Sequence, residues 1–259
     1  MNKNPIGIFD SGVGGTSIWR AINSLLPNEN TIYLADSINA PYGPKGKEAI
    51  IALSEKNTEY LLEQNSKLIV VACNTATTNA IGYLREKYNV PFIGIEPAIK
   101  PAALQTQTKA IGILATKGTL SSELFNNTSQ LYNNGVTIVE QEGEGIVQLI
   151  ESGLIYSDQM TELLVNYLKP MIKSNIDYLV LGCTHYPYLI PQLLKILPKH
   201  IKIIDSGDAV ANQTKLVLEK YKLVNNAKIK SDNFFYTNGK PKVMKTLLNN
   251  VYDVKYLKF

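Results

Sequence analysis

The chain has 259 residues, of which 45% are hydrophobic and 19% charged, as expected for a globular protein with one large or two modest domains. Its 26 basic and 22 acidic side chains give a net charge of +4, too small and too dispersed for the basic stripe of a nucleic-acid-binding protein. No stretch approaches the roughly 20 apolar residues of a membrane span, and the polar first residues carry no export signal. We therefore expect a cytoplasmic protein with neither a nucleic-acid nor a membrane partner.

Short apolar runs alternate with longer helical patterns along the whole chain. The predicted strands are residues 6–9, 31–34, 68–72, 91–95, 110–114, 136–139, 178–181 and 201–204, with a last one near Phe234. Helices are expected between them, for example at about 16–26, after the Pro- and Gly-rich loop 36–46, and at about 75–88. Near-continuous apolar strands between helices are typical of a parallel sheet covered on both faces. The sequence therefore predicts an α/β protein.

Segments of the first half recur in the same order in the second half. Residues 7–12 resemble 112–118, residues 70–75 resemble 180–185, and residues 93–97 resemble 203–206, at offsets of about 105 to 110. Three matches at nearly one offset indicate two similar parallel-sheet α/β domains related by a pseudo-twofold axis, with an active site in the cleft between them. We expect residues 1–96 and 209–259 to form the first domain and 97–208 the second. The tail is given to the first domain because its strand has no third domain to join.

Both cysteines of the chain, Cys73 and Cys183, directly follow a buried strand and precede a helix. One such cysteine would more simply be a small buried hydrophobic residue, and a disulfide is not expected in a reducing compartment. Two at equivalent positions of a repeat favour a shared site, because ligands bind outside the carboxyl ends of parallel strands. A helix N terminus there is expected to lower the pKa of a thiol. Two thiols on opposite faces of a carbon could invert it, one acting as base and the other as acid.

Asp10 ends the first strand and begins a glycine-rich turn whose backbone N–H groups could approach an anion. A dinucleotide-binding turn is the alternative, with Asp36 as the ribose-binding acid. However, Ser17 occupies the third glycine position, and Asp10 would face the pyrophosphate. We favour Asp10 as a proton relay to Cys73 and Ser11 as a substrate ligand.

His185 lies two residues after Cys183, where we expect a proton relay or charge partner rather than a structural histidine. Polar groups at the same strand ends can bind carboxylate and ammonium groups. These are Asn74, Thr75 and Thr184, with Tyr42 and Gly43 in the long loop nearby, where they would be equally ordinary as turn residues. Nothing in the sequence suggests a metal or another cofactor that would share the charge of a carbanion.

Four segments resemble the signature segments of the aspartate/glutamate racemase superfamily. They are residues 10–15 (DSGVGG), 41–43 (PYG), 72–76 (ACNTA) and 182–187 (GCTHYP), in family order and spacing. His185 favours the glutamate branch, because aspartate racemases usually have Glu at the equivalent position. Thr77 and Thr78 stand where the family commonly has Ser or Ala, with no expected consequence for the chemistry. The resemblance covers essentially the whole chain.

The resemblance implies racemisation of glutamate without pyridoxal phosphate. Cys73 would take the α-proton from D-glutamate and Cys183 from L-glutamate, assisted by Asp10 and His185 respectively. Glu151 falls where the family has a further acidic helper, although a solvent-facing helix acid is an equally good interpretation. Substrate contacts would come from Asp10, Ser11, Tyr42, Gly43, Asn74, Thr75, Thr116, Thr119, Thr184 and His185. The resemblance also implies a homodimer whose D-glutamate feeds peptidoglycan synthesis.

Two alternatives of other classes stay open. Cys73, Cys183, His185 and Asp10 could hold zinc in a metal-dependent lyase or hydrolase. A binding protein could instead close on an anionic amino acid without exchanging its α-proton.

Overall fold

The computed structural model of the protein describes residues 2–132, 135–227 and 231–259. Its strands are β1 (Ile6–Asp10), β2 (Thr31–Ala35), β3 (Leu68–Val71), β4 (Phe92–Gly94), β5 (Ala110–Ala115), β6 (Thr137–Glu142), β7 (Tyr178–Gly182), β8 (Lys202–Ile204), β9 (Asn233–Thr237) and β10 (Val254–Tyr256). Its helices are α1 (Thr16–Leu25), α2 (Lys47–Glu63), α3 (Asn74–Lys87), α4 (Ile99–Gln105), α5 (Lys117–Leu120), α6 (Glu123–Tyr132), α7 (Ile146–Glu151), α8 (Asp158–Lys173), α9 (Ile190–Ile196), α10 (Gly207–Lys220) and α11 (Pro241–Leu247). Short 3-10 helices lie at Ser37–Asn39 and Tyr186–Leu189.

The strands form two sheets in which the pairings between described residues are all parallel. The first has the order β10-β9-β2-β1-β3-β4 and the second β6-β5-β7-β8. The segment β2-β1-β3-β4 of the first sheet has the same topology as the whole of the second. The predicted pair of similar α/β domains is confirmed. Parallel order is favoured because each helical crossover returns the chain to the same end of its sheet.

The strand predicted near Phe234 is β9, which pairs with β2 and so extends the first sheet. Its Phe235 side chain meets Trp19 of α1 edge to face, with ring centroids 4.7 Å apart. Full burial of an aromatic side chain of this size stabilises the fold by roughly 1.5–3 kcal/mol. The sequence pattern missed β10, a three-residue strand with two exposed residues at the edge of the sheet. The division at 96/97 and 208/209 stays a prediction.

The central strands of both sheets are buried over their whole length, since helices cover both faces. Their register places the ends of neighbouring strands side by side: Phe9 pairs with Val71, and Ala115 pairs with Gly182. The residues that follow these ends are therefore neighbours in each domain. Among the helices that the structure describes, none is long and apolar enough to cross a membrane.

Candidate active site

Cys73 is the N-cap residue of α3, and its sulfur accepts a hydrogen bond from the Ala76 N–H at 3.4 Å. The thiol donates to the Ser11 hydroxyl oxygen at 3.6 Å and is only 5% exposed. Burial, followed by the nearby charge of Asp10, raises the pKa of the thiol well above its ordinary value. The expectation that the pKa of the thiol lies below its ordinary value is therefore wrong for Cys73. The Ala76 N–H does lower the pKa, but desolvation outweighs it.

Asp10 lies at the end of β1 with no exposed surface. One carboxylate oxygen accepts the Gly15 N–H at 2.7 Å and the Thr184 hydroxyl at 3.3 Å, and the other accepts the Ser11 hydroxyl at 3.4 Å. Burial raises the pKa of this carboxyl, against the charge of His185 and the Gly15 hydrogen bond, which lower it. Thiol, hydroxyl and carboxylate thus form a continuous chain from Cys73 through Ser11 to Asp10.

Cys183 follows the end of β7, but the chain then enters a 3-10 helix rather than an α-helix. Its sulfur lies 3.8 Å from Nδ1 of His185, whose Nε2 lies 2.7 Å from Oε1 of Glu151. Burial on its own would lower the pKa of His185, but hydrogen bonds and charges of Cys183 and Glu151 raise it well above its ordinary value. The Glu151 side chain is 14% exposed and lies against His185, so it is not a solvent-facing helix acid.

The two thiols belong to different hydrophobic clusters: that of Cys73 lies within the first domain, and that of Cys183 includes residues of both domains. Polar contacts join their surroundings, because Asp10 is linked to Cys73 through Ser11 and is hydrogen-bonded to Thr184, the neighbour of Cys183. The charge of Cys183 also contributes, after burial and Asp10, to the raised pKa of Cys73. The strand ends of the two domains therefore face each other. We call the polar interface between them the seam; Asp10 and Ser11 lie on one side of it and Thr184 on the other.

A second polar contact crosses the seam at three threonine hydroxyls. Thr75, at the start of α3, lies 2.8 Å from Thr116 and 3.3 Å from Thr119 of the other domain, and those two lie 3.1 Å apart. Beside them, the Nδ2 group of Asn74 is buried and has no hydrogen-bond partner among the described residues. Buried donors are nearly always paired in proteins, so this amide is a candidate ligand group.

Tyr42 and Gly43 were predicted as substrate contacts from the long loop. The Tyr42 hydroxyl donates to Asp36 at 2.5 Å, so it is engaged within its own domain, while Gly43 packs against Thr116 and Gly118 across the seam. Asp36 also accepts side-chain amides of Asn39 and Asn238. It therefore anchors this loop and is fully occupied, unlike the acid of a dinucleotide site.

Two serines at the seam escaped the sequence analysis. Ser17 donates to the Thr184 carbonyl at 2.9 Å, and Ser37 donates to Oε2 of Glu151 at 2.9 Å. Each lies in one domain and contacts the other, in a segment whose local sequence resembles any polar turn. Ser17 differs from an ordinary turn residue only in standing where a dinucleotide-binding turn would have its third glycine, and that difference does not indicate a contact with the other domain.

A cavity of about 880 Å³ opens between the loop 43–47, the exposed face of α3, and α5 with the start of α6. Neither cysteine lines it, and Cys183 is 7% exposed. Gly43 and Gly118 line this cavity, and they pack against each other and against the threonine cluster. The cavity lies outside the cysteine site, which is closed in this structure.

In the described part of the chain, no group of three or more His, Cys, Asp and Glu side chains is arranged to hold a metal ion. This includes the four residues considered above as zinc ligands.

Comparison with known proteins gives a consistent result. Residues 6–214 match the Asp/Glu/hydantoin racemase family. The chain is 44% identical over 241 residues to a glutamate racemase of Herpetosiphon aurantiacus, covering 93% of this chain and 95% of the relative. It is 41% identical to that of Pseudomonas aeruginosa PAO1, covering 94% and 92%.

Solved structures agree over the full length. Glutamate racemase isoform RacE1 from Bacillus anthracis superposes with a TM-score of 0.89 at 28% identity, covering 100% of this chain and 98% of that one. Escherichia coli glutamate racemase, solved with L-glutamate and the activator UDP-MurNAc-Ala, gives 0.87 at 33% identity, covering 98% of each.

Proposed function

The chain belongs to the Asp/Glu/hydantoin racemase family, and we propose that it interconverts L- and D-glutamate with Cys73 and Cys183 as the two acid–base groups. The observation that carries this proposal is the seam itself: two buried thiols follow strand ends of similar domains, and each has its own acid–base neighbour. The names of the relatives support glutamate as the substrate.

In the proposed reaction, the Cys183 thiolate takes the α-proton of L-glutamate while the Cys73 thiol delivers a proton to the opposite face. The C–H bond that breaks and the one that forms involve the same carbon, so the product is D-glutamate. Cys183 is left as a thiol and Cys73 as a thiolate. From D-glutamate the same steps run backwards.

The surroundings of the thiols support this assignment of resting states. The raised pKa of Cys73 keeps its proton in place, as a proton donor requires. The raised pKa of His185 keeps the imidazole positively charged 3.8 Å from the Cys183 sulfur, where it can exchange a proton with the thiol. We infer that the resting protein is prepared to bind L-glutamate.

The α-proton of an amino acid is a weak acid, so charge on the carbanion must be stabilised. We propose that the unpaired Asn74 amide, the N–H groups at the start of α3 and the threonine hydroxyls bind the substrate carboxylates. Tyr42 and Gly43 would contribute through backbone groups, and Ser11, Thr184 and His185 would contact the substrate from the facing side. A well-placed donor of this kind can lower a barrier by about 3 kcal/mol.

Because both thiols are nearly buried, glutamate needs the seam to open before it can bind. We propose that the two domains separate at the contact between Gly43 and Gly118, and that closure excludes water from the carbanion. We further propose that the protein acts in the cytoplasm as a homodimer and supplies D-glutamate for peptidoglycan. Light scattering of the purified protein tests the dimer.

The decisive experiment incubates each glutamate enantiomer with the protein in D₂O, without pyridoxal phosphate. NMR should show deuterium at Cα, and circular dichroism should show loss of optical activity. Full activity in the presence of a chelator separates this proposal from a zinc enzyme. Binding without deuterium incorporation would identify the protein as a binding protein and contradict the proposal.

A further inference from the structure

The Glu151 carboxylate is held by three hydrogen-bond partners from three parts of the chain. Oε1 accepts the Val13 N–H at 2.6 Å and lies 2.7 Å from Nε2 of His185. Oε2 accepts the Ser37 hydroxyl at 2.9 Å, which is its one partner among the described residues. Without Ser37, the contacts that the described residues make to this carboxylate would all be at Oε1, and its plane would be less firmly fixed.

Ser37 is itself held firmly from behind by the segment that follows β9. A Cβ atom added at Gly239 would lie 2.7 Å from the Cβ of Ser37, so the two backbones are in close contact. Asn238 donates to Asp36 and accepts the N–H of Ile38 at 3.0 Å, bracketing Ser37 on both sides. The returning tail thus supports the serine from the first domain, while the serine contacts the acid of the second.

We propose that Ser37 is a positioning residue for the His185–Cys183 pair, an inference that rests on the proposed function. Its hydroxyl fixes the plane of the Glu151 carboxylate so that Oε1 faces Nε2 of His185. The oriented Glu151 carboxylate keeps the His185 imidazole charged and directed towards Cys183, as a carboxylate does for the histidine of a catalytic triad. The titratable groups that face His185 are Cys183 and Glu151, with Asp10 opposite.

The test can be read directly from histidine, because the chain has only two, His185 and the exposed His200. NMR pH titration of Ser37→Ala should show His185 losing its proton at a lower pH than in the unmutated protein, with His200 unchanged as an internal control. Ser37→Thr, which keeps a hydroxyl, should restore the His185 titration. Ile38→Ala is the matched control, since Ile38 lies in the same 3-10 helix but is 71% exposed.

Activity provides a second readout. L- and D-glutamate have equal free energies, so any variant must lower kcat/KM equally in both directions. For Ser37→Ala we expect a decrease of roughly three- to tenfold above neutral pH, shrinking at lower pH where the imidazole is charged in either protein. A merely structural role for Ser37 would lower activity equally at all pH values.

An unchanged His185 titration in Ser37→Ala overturns the inference, and so does an equal shift in Ile38→Ala. Failure of the proposed function is a different result: the unmutated protein would then not racemise glutamate, whatever His185 does. If the unmutated protein racemises glutamate but the His185 titration is unchanged in Ser37→Ala, only the inference about Ser37 fails.

Discussion

The Thr184 hydroxyl donates to the Asp10 carboxylate at 3.3 Å, joining the end of β7 in one domain to the end of β1 in the other. Thr184 follows Cys183 directly, and Asp10 is linked to Cys73 through Ser11, so this contact connects the surroundings of the two cysteines. Asp10 has no exposed surface, so its charge acts where solvent screens it little. This buried carboxylate should favour catalysis at a cost in stability.

Asp10→Asn should therefore raise stability while lowering activity. The pKa of Asp10 in the folded protein is raised above its unfolded value of 3.8, so the group favours folding below that value and loses this contribution as pH rises through the folded pKa. At pH 7 the amide should increase the free energy of unfolding by about 1 kcal/mol, or roughly 2–4 °C in Tm. Near pH 3 the gain should vanish.

The control for that variant is Asp177→Asn, with the opposite sign. Burial would raise the pKa of Asp177, but hydrogen bonds from Thr106, Gln107 and Thr108 outweigh it and lower the pKa. Asp177 therefore stabilises the fold above its unfolded pKa, and this contribution is lost as pH falls through the folded pKa. Its amide should unfold more easily at pH 7. Equal Tm shifts in the two variants would contradict this account of Asp10.

Replacing either thiol should remove racemisation. Cys73→Ala and Cys183→Ala each take away one of the two proton-transfer groups, and we expect kcat to fall at least 100- to 10,000-fold. Polarimetry with each enantiomer measures the loss, and circular dichroism checks that the variants are folded. Normal racemisation by Cys183→Ala would falsify the two-base scheme.

His185→Asn should affect the proton step at Cys183 more than the step at Cys73, because His185 lies 3.8 Å from the Cys183 sulfur. The value of kcat/KM must fall equally in both directions, so the asymmetry has to be sought in isotope effects. We expect the primary deuterium kinetic isotope effect on kcat/KM to increase more with α-deuterated L-glutamate than with α-deuterated D-glutamate. Equal changes would mean that His185 does not act specifically on Cys183.

Gly14→Ala should abolish activity by displacing His185. A Cβ atom at position 14 would lie 2.2 Å from Nδ1 of His185, and the ring is fully enclosed and cannot move away. Gly82→Ala is the control, because a Cβ there meets nothing within 4 Å. We expect kcat/KM to fall at least 100-fold in Gly14→Ala and to stay unchanged in Gly82→Ala. Polarimetry with D-glutamate as the substrate measures both. Comparable activity of the two variants would show that the turn does not position the histidine.

Much of the fold could be predicted from local patterns. The nine strands expected from apolar runs all occur within a few residues of their predicted bounds. The pattern is clearest in the central strands β1, β3, β5 and β7, because a parallel strand covered on both faces must be apolar on both. Strand β10 was missed because three residues at a sheet edge need no such pattern. Similar segments in the two halves indicated the repeated topology, since strand order follows from the order of repeated units along the chain.

The candidate site was predictable in its cysteines and less so in their surroundings. A cysteine directly after a buried strand is at the carboxyl edge of its sheet whatever else the chain does, so the sequence alone located Cys73 and Cys183 there. The sequence could not decide whether the pKa of Cys73 is raised or lowered from its ordinary value, because desolvation depends on residues far away in the chain. Nor could it find Ser37, or choose between a buried and a solvent-facing Glu151. These depend on how one domain packs against the other, and a contact between residues 114 positions apart leaves no mark on either segment alone.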